Sequence, residues 1–294
     1  MQIEDFLKYI RYELNYSAHT VLSYSEDLRQ FARFLRAEEE FDPALVRADD
    51  VRLWVAALRK EGYAVRSVRR KVQSLRAFYR FLLKHGAVAD SPVADIPLAK
   101  LPKQLPVFVR EKNMDELLDG DFDHADFTAV RDRLMLAMFY ETGIRRAELI
   151  SLKDVDVDDV RCELKVHGKR NKDRIVPFGG ELKELIGLYR PLREKVATAA
   201  TFFVTAKGVP LYPQLVYKTV KAELAGVPVA RKSPHVLRHS FASAMLNNGA
   251  ELNGVKELLG HESLAATQVY THVTYKELKQ NYNHAHPRAL KKGG

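Results

Sequence analysis

Four prolines within residues 89–107 constrain the fold of this chain more than any other feature of its sequence. Proline lacks the backbone N–H and restricts φ, so the stretch ADSPVADIPLAKLPKQLPV interrupts helices and is typical of an extended linker. This linker divides the chain into residues 1–88 and residues 108–294. A length of 294 residues is enough for two domains, each with its own core.

Residues 1–88 have apolar side chains at helical spacing and predict four helices. The second helix begins after Ser17, which is a good N-cap residue. The third helix stops at Gly62, and the fourth covers about residues 64–85. This part of the chain is therefore predicted to be an all-helical domain.

The fourth helix carries a basic stripe opposite its apolar face. A helix turns by about 100° per residue, which places five basic side chains on one face and Arg76 at the edge of that face. The five residues of the stripe are Arg66, Arg69, Arg70, Arg80 and Lys84. A solvated helix face, the alternative, usually mixes charge signs, but this helix has no acidic residue. The formal net charge of +9 also favours a polyanionic partner. We therefore interpret the stripe as a surface that contacts nucleic-acid phosphates.

Composition excludes several classes of protein. No apolar run approaches the ~20 residues that span a bilayer, so we expect no membrane partner. The acidic, amphipathic N-terminus is not a secretory signal, and Cys162 is the only cysteine, which excludes an internal disulfide and a Cys-rich zinc site. No Asp/Glu cluster suggests a metal and no Gly-rich loop suggests a nucleotide cofactor. We expect a cytoplasmic protein without a cofactor.

Residues 108–294 predict a mixed domain. A β-hairpin is expected where alternating apolar residues at 162–166 and an apolar run at 175–178 flank the turn HGKRNKDR. Residues 201–205 could form another strand, and helices are expected over most of the rest, including about 111–119, 125–142 and 145–152. The predicted fold class is mainly α with a small β-sheet, an α+β fold.

Four segments of this second part concentrate arginine, histidine, lysine and tyrosine: TGIRRAEL, GKRNKDR, PHVLRHSFA and LLGHESLAATQVYTHV. Singly, each residue has an ordinary explanation, such as an Arg145–Glu148 helix pair or a packed Tyr270. Together they indicate metal-free phosphoryl transfer on a polyanion. Arginine forks match phosphate oxygens, histidines move protons near neutral pH, lysine can protonate a leaving oxygen, and a tyrosine hydroxyl can attack phosphorus.

These segments resemble the active-site boxes of the tyrosine recombinases, specifically the Xer type. Their order and intervals agree with that family: Lys169 follows Arg145 by 24 positions, and Tyr270 follows His261 by 9. The resemblance extends over essentially the whole chain, and the HSFA box and the ending NHAHPRA favour the XerC over the XerD subtype.

The resemblance implies six catalytic residues: Arg145, Lys169, His235, Arg238, His261 and Tyr270. The two arginines would clamp the non-bridging oxygens of the scissile phosphate, and the lysine would protonate the departing 5′-oxygen. The first histidine would assist proton transfer and the second would hydrogen-bond the phosphate. The tyrosine would attack, giving a 3′-phosphotyrosyl link without metal or ATP. Arg146 is an alternative to Arg145, and Lys172 is an alternative to Lys169, but the positions after Gly-Ile and after Gly favour Arg145 and Lys169. His272 has no assigned role.

The resemblance also implies an architecture and partners. A SAM-like core-binding domain (1–88) and a catalytic domain (108–294) would form a C-shaped clamp on a double-stranded DNA recombination site. Four protomers, identical or including a paralogous recombinase, would act on two half-sites around a short central region. The segment Asn281 to Ala289 would pack into a neighbouring protomer, and a septal DNA translocase would be a regulatory partner.

The biological role implied by the resemblance is resolution of chromosome dimers. The alternatives are an integrase or transposase of a mobile element, a type IB topoisomerase and a catalytically silent DNA-binding protein. Many integrases carry an additional arm-binding domain, whereas here Met1 leads directly into the first helix, which favours the Xer type. The His-x-x-Arg box and the C-terminal tail disfavour a topoisomerase, and the complete catalytic set disfavours a silent protein.

Overall fold

A computed structural model of the chain describes residues 2–36, 41–99, 107–168, 173–260 and 275–289. The chain forms two compact units whose boundary lies between residues 104 and 105, within the proline-rich segment. None of the helices in the described ranges is long and apolar enough to cross a membrane.

Within its described residues, the first unit is built from four α-helices, as the apolar periodicity predicts. The first helix, α1 (Gln2–Lys8), continues into a π-helical turn at Tyr9–Glu13, and a 3₁₀ turn at Pro43–Leu45 precedes the third helix. The side chain of Ser17 accepts a hydrogen bond from the backbone N–H of Thr20 at 3.2 Å, which confirms it as an N-cap. The helices are α1 Gln2–Lys8, α2 Ala18–Phe34, α3 Ala48–Lys60 and α4 Val65–Lys84.

The core of this unit forms around the apolar face of α4. Phe31 of α2 and Trp54 of α3 are buried there with ring centroids 4.9 Å apart. Val93 and Ile96, from the early part of the proline-rich segment, are buried in the same core. Arg76 donates to the carbonyl oxygens of both residues, at 3.2 and 2.9 Å. This part of the segment therefore packs on α4, which its proline content did not predict.

The second unit contains eight α-helices and three short strands within the described ranges. The three strands form an antiparallel sheet in which strands adjacent in the sequence pair with each other, and Leu164 lies opposite Val176. The strands are β1 Val157–Asp158, β2 Glu163–His167 and β3 Asp173–Pro177. The helices are α5 Glu111–Leu118, α6 Phe127–Thr142, α7 Arg146–Ser151, α8 Gly180–Glu194, α9 Pro213–Glu223, α10 Pro234–Asn247, α11 Leu252–Leu259 and α12 Tyr275–Ala285.

Helix α6 is the centre of the second unit. Every residue from Leu134 to Tyr140 is buried, because α8, α9 and α10 all pack against this helix. The hairpin of β2 and β3 is as predicted, but the further strand at residues 201–205 is not formed. Residues 201–205 form only isolated bridges, Lys153 with Thr201 and Val204 with Pro210. Each partner segment lies next to them for a single residue pair, which is too short to form a strand.

The C-terminal segment packs onto its own unit. Tyr282 and His286 are buried, and their rings stack with centroids 5.1 Å apart. Arg288 is also buried and pairs with carboxylates of three helices: Asp115, Asp119, Glu141 and Glu181. The family resemblance implies docking of this segment into a neighbouring protomer, whereas in the single chain the segment is part of the core of its own unit.

Candidate active site

The first predicted arginine, Arg145, follows a sharp bend at the end of α6. Gly143 caps that helix with a left-handed φ of +60°, a conformation that glycine adopts without steric cost. Two residues later, Arg145 is the N-cap residue of α7. The bend therefore turns the chain from a buried helix into a short one that begins with this arginine.

Arg145 is held by one carboxylate and one carbonyl. Its backbone N–H donates to Oε2 of Glu148 and its Nη1 donates to Oε1, both at 2.7 Å. Its Nη2 donates to the carbonyl oxygen of Gly260 at 2.7 Å. The side chain is still 35% exposed. Its guanidinium therefore has a fixed orientation and an accessible face.

The second predicted arginine, Arg238 of α10, is buried. Its Nη1 donates to the carbonyl oxygen of Gly143 and its Nη2 to that of Leu259, both at 2.6 Å. Burial, followed by the positive charge of Arg145, lowers its pKa to about 10. Arg238 therefore remains a cation at neutral pH, and the structure brings it together with Arg145 at the end of α11.

His235 lies in the first turn of α10, three residues before Arg238. Partial burial lowers the pKa of His235, and the positive groups of His239, Arg146, Arg238 and Arg145 lower it further. The imidazole is therefore neutral at physiological pH, the form that can accept a proton.

Two further residues complete this cluster, and sequence reasoning gave neither a functional role. The sequence indicates Glu148 only as a possible helix partner of Arg145, and it assigns no role to Arg174. Arg174 of β3 donates from Nη1 and Nη2 to the two oxygens of Glu148, at 3.0 and 2.9 Å. One signal was available: the strand period of two puts Arg174 on the same face as the buried Val176, so it had to point inwards.

The charge state of Glu148 follows from these contacts. Burial raises its pKa, but the hydrogen bonds and charge of Arg174, together with those of Arg145, outweigh burial and lower the pKa to about 2. Glu148 is therefore an anion at all physiological pH values. With Arg145, Arg174 and Arg238 around it, the cluster has an excess of positive charge that suits a phosphate diester.

The other three predicted catalytic residues, Lys169, His261 and Tyr270, lie outside the described residues, as does His272. The described residues include Gly168, directly before Lys169, and Gly260, directly before His261. Lys169 belongs to the connection between β2 and β3, and His261 directly follows Gly260, whose carbonyl oxygen binds Arg145.

The predicted basic stripe of α4 is less uniform than the helix pattern suggested. Arg66, Arg80 and Lys84 are exposed. Arg69 donates to the carbonyl oxygen of Ala99 at 2.9 Å, and Arg70 donates to the carboxylate of buried Asp27 at 2.5 Å. The negative charge that partly balances this basic face belongs to Asp27 of α2, so the sequence of α4 alone does not predict it. A role for the stripe in binding DNA stays a prediction.

Comparison with known proteins identifies the family. Residues 108–277 match the model of the phage integrase family, and residues 3–86 match the phage integrase N-terminal SAM-like domain. The tyrosine recombinase XerC of Chlorobaculum parvum is 39% identical, with 98% of this chain and 94% of the relative covered. The XerC of Listeria monocytogenes serotype 4a is 37% identical, with 97% of each chain covered.

Solved structures share the fold. The Tn1549 transposon integrase in complex with circular intermediate DNA is similar with a TM-score of 0.69 and 19% identity, covering 95% of this chain and 98% of the other. The XerH recombinase bound to its difH substrate is similar with a TM-score of 0.67 and 20% identity, covering 96% and 81%. These likenesses confirm the predicted two-domain α+β architecture.

The chain therefore belongs to the phage integrase family, and within it to the Xer-type tyrosine recombinases. It is a site-specific DNA recombinase, and its similarity to proteins named XerC agrees with the subtype that the HSFA box and the HAHPRA ending favour.

Proposed function

We propose that the chain cuts and rejoins double-stranded DNA with Tyr270 as the nucleophile. The Tyr270 hydroxyl oxygen bonds to phosphorus while the bond from phosphorus to the 5′-oxygen breaks. His235, in its neutral form, assists removal of the tyrosine proton, and Lys169 protonates the departing 5′-oxygen. The product is a 3′-phosphotyrosyl link and a free 5′-hydroxyl, and the reverse reaction with another 5′-hydroxyl rejoins the strand.

One observation carries this proposal. Arg145 and Arg238 both bind the carboxyl end of α11, at the carbonyl oxygens of Gly260 and Leu259. The next residue is His261, and Tyr270 follows ten positions after Gly260. In sequence, the stretch that contains Tyr270 therefore begins directly after a carbonyl group that one of these arginines binds, which supports the proposal. We assign these two arginines to the non-bridging oxygens of the scissile phosphate and His261 to a further hydrogen bond there.

The biological role that we propose is the resolution of chromosome dimers in the cytoplasm. Such a reaction recombines two copies of one site, and each copy has two half-sites. It therefore calls for a tetramer, formed by this chain alone or with a paralogous recombinase. The XerH structure contains difH substrate DNA, which supports binding of a comparable duplex site here. A septal DNA translocase as regulatory partner rests on the family resemblance.

Covalent capture tests the nucleophile. The purified full chain is incubated with nicked genomic fragments from the organism that encodes it, and DNA that stays bound after denaturation is sequenced. Wild type is expected to retain DNA through Tyr270, and Tyr270→Phe is expected to retain none. His272→Phe is the matched control because it alters a neighbouring aromatic side chain with no assigned role. Retention of DNA by Tyr270→Phe would overturn the assignment.

The captured sequences also distinguish the two biological roles. A single chromosomal locus with inverted half-sites near the replication terminus supports dimer resolution. An integrase of a mobile element, the alternative, would instead enrich the ends of that element. Deletion of the gene should then produce chromosome dimers only in cells that carry out homologous recombination.

A further inference from the structure

Arg174 occupies the centre of the charged cluster but faces the protein. It lies in β3, and its side chain is 13% exposed. Its Nε donates to the carbonyl oxygen of Leu258 at 2.7 Å, while Nη1 and Nη2 form a fork on the carboxylate of Glu148. All three guanidinium nitrogens therefore have protein partners. This distinguishes Arg174 from the more exposed Arg145, whose accessible face is available to a phosphate.

The carboxylate of Glu148 is shared between two arginines. Oε1 accepts from the guanidinium of Arg145 at 2.7 Å and from Arg174 at 3.0 Å. Oε2 accepts from the backbone N–H of Arg145 at 2.7 Å and from Arg174 at 2.9 Å. Without Arg174, the full negative charge of Glu148 would fall on Arg145 and compete with the phosphate for the same guanidinium.

The same side chain also reaches the end of α11. The carbonyl oxygens of Leu258, Leu259 and Gly260 accept hydrogen bonds from Arg174, Arg238 and Arg145, one each. These are the last carbonyls of the helix, which have no partner within it and carry the negative end of its dipole. Gly260, with φ of +62°, lies against Arg174: an added Cβ would be 3.2 Å from its Nη1. Arg174 thus supports the position at which the chain leaves the helix.

We propose that Arg174 is a positioning residue for DNA cleavage. It links the β-hairpin, Glu148 and the end of α11, and thereby orients Arg145 and Gly260. Lysine cannot replace it, because a single ammonium cannot span a carboxylate and a carbonyl with the geometry of a planar fork. This inference rests on the proposed role of Arg145 as a phosphate ligand.

The test uses Arg174→Lys and Arg174→Gln in the full chain. The probe is a nicked duplex that carries the genomic sequence captured by wild-type protein. We expect each variant to bind the duplex within about threefold of wild type, whereas cleavage slows about 100-fold in Arg174→Gln and at least about tenfold in Arg174→Lys, as for a misplaced reacting group. Arg190→Lys is the matched control, because Arg190 of α8 also donates to a carboxylate, that of Asp154, and to a carbonyl oxygen, that of Val157. The Arg190→Lys variant should cleave DNA like wild type.

The pH profile separates positioning from general destabilisation. Loss of Arg174 removes the hydrogen bonds and charge that keep the pKa of Glu148 low, so its protonation and the acid limb of the cleavage rate should move to higher pH. The double variant Glu148→Gln with Arg174→Gln should slow cleavage by less than the product of the two single-variant effects, because both substitutions remove the same contact.

Several outcomes would overturn the inference. These are a wild-type cleavage rate and pH profile in Arg174→Lys, a loss confined to DNA binding, and failure of both variants to fold, which would make Arg174 a stability residue only. Failure of the proposed function appears differently, as a covalent adduct that persists in Tyr270→Phe while Arg174 is intact.

Discussion

Gly143 and Arg238 are joined by a hydrogen bond of 2.6 Å, which the guanidinium donates to the carbonyl oxygen of the glycine. An added Cβ at position 143 would lie 2.5 Å from Cδ1 of Phe241 and 2.8 Å from Cδ2 of Leu259. The backbone at this bend is therefore pressed against α10 and α11 while it supplies an acceptor to one arginine of the site. Arg145 follows two residues later, so one glycine affects the placement of both arginines.

Gly143→Ala should therefore reduce both stability and activity. The left-handed backbone costs about 1–2 kcal/mol for a residue with a Cβ, and overpacking against Phe241 adds about 1–3 kcal/mol. We expect a loss of about 2–5 kcal/mol in the free energy of unfolding, measured by urea denaturation with far-ultraviolet circular dichroism. Formation of the covalent adduct should also slow. Gly249→Ala is the control, because φ is +87° there with nothing within 4 Å of the added Cβ. Equal losses in the two variants would contradict the role of close packing.

Asp27 of the first unit is a buried anion between two cations. Its carboxylate accepts from Lys71 at 2.9 Å and from Arg70 at 2.5 Å. Because Asp27→Ala leaves the buried ammonium of Lys71 without its counter-ion, we expect a loss of about 3–5 kcal/mol. The fluorescence of Trp54, the single tryptophan, reports unfolding of this unit.

A matched exposed pair provides the comparison for Asp27. Asp49 and Arg52 of α3 form an ion pair at 2.6 Å that is open to solvent, so Asp49→Ala should change stability by less than about 1 kcal/mol. Asp27→Leu with Lys71→Met should recover part of the loss caused by Asp27→Ala, because neither partner is then left charged and buried. A double variant as unstable as Asp27→Ala would count against this explanation.

The exposed part of the α4 stripe can be tested through the salt dependence of DNA binding. Each phosphate contact adds about 0.9 to the slope of log affinity against log salt concentration for duplex DNA. We expect Arg66→Ala and Arg80→Ala each to reduce that slope by about 1. Fluorescence anisotropy of a labelled duplex over a salt series measures it. Arg52→Ala on α3 is the control, and an equal effect there, or unchanged slopes in both stripe variants, would locate the DNA contact elsewhere.

His286 should make stability depend on pH. Burial lowers its pKa to about 3, whereas the unfolded chain has a histidine pKa of about 6.5. Between these values the unfolded state binds more protons than the folded state. The stabilising contribution of neutral His286 is therefore complete above a pH of about 6.5 and is lost as the pH falls towards 3. His286→Phe keeps a stacking ring and should flatten this dependence in unfolding experiments at several pH values. The exposed His284 is the control: His284→Gln should retain the wild-type slope, and a wild-type slope in His286→Phe would refute the assignment.

Much of the fold was predictable because its causes are local. The N-cap at Ser17, the helical period of α4 and the alternation in β2 each depend on residues within a few positions of one another. The strand expected at residues 201–205 was wrong for the complementary reason: its apolar residues fit a strand, but a strand also needs a neighbouring backbone of matching length. Similarly, the prolines after α4 predicted an extended path, but they did not predict that Val93 and Ile96 would be buried.

The candidate site divides along the same line. The residue types and their order in the chain predict Arg145 and Arg238 as site residues and, by family resemblance, the chemistry that they would support. The contacts that orient them join residues far apart in the sequence: Arg145 with Gly260 across 115 positions, and Arg174 with Leu258 across 84. Local periodicity contains no information on such pairs, because they form only when α7, β3 and α11 meet. The sequence thus supplies the charged side chains of the candidate site. Packing of these distant elements sets the charge state of Glu148 and the orientation of the arginine guanidinium groups.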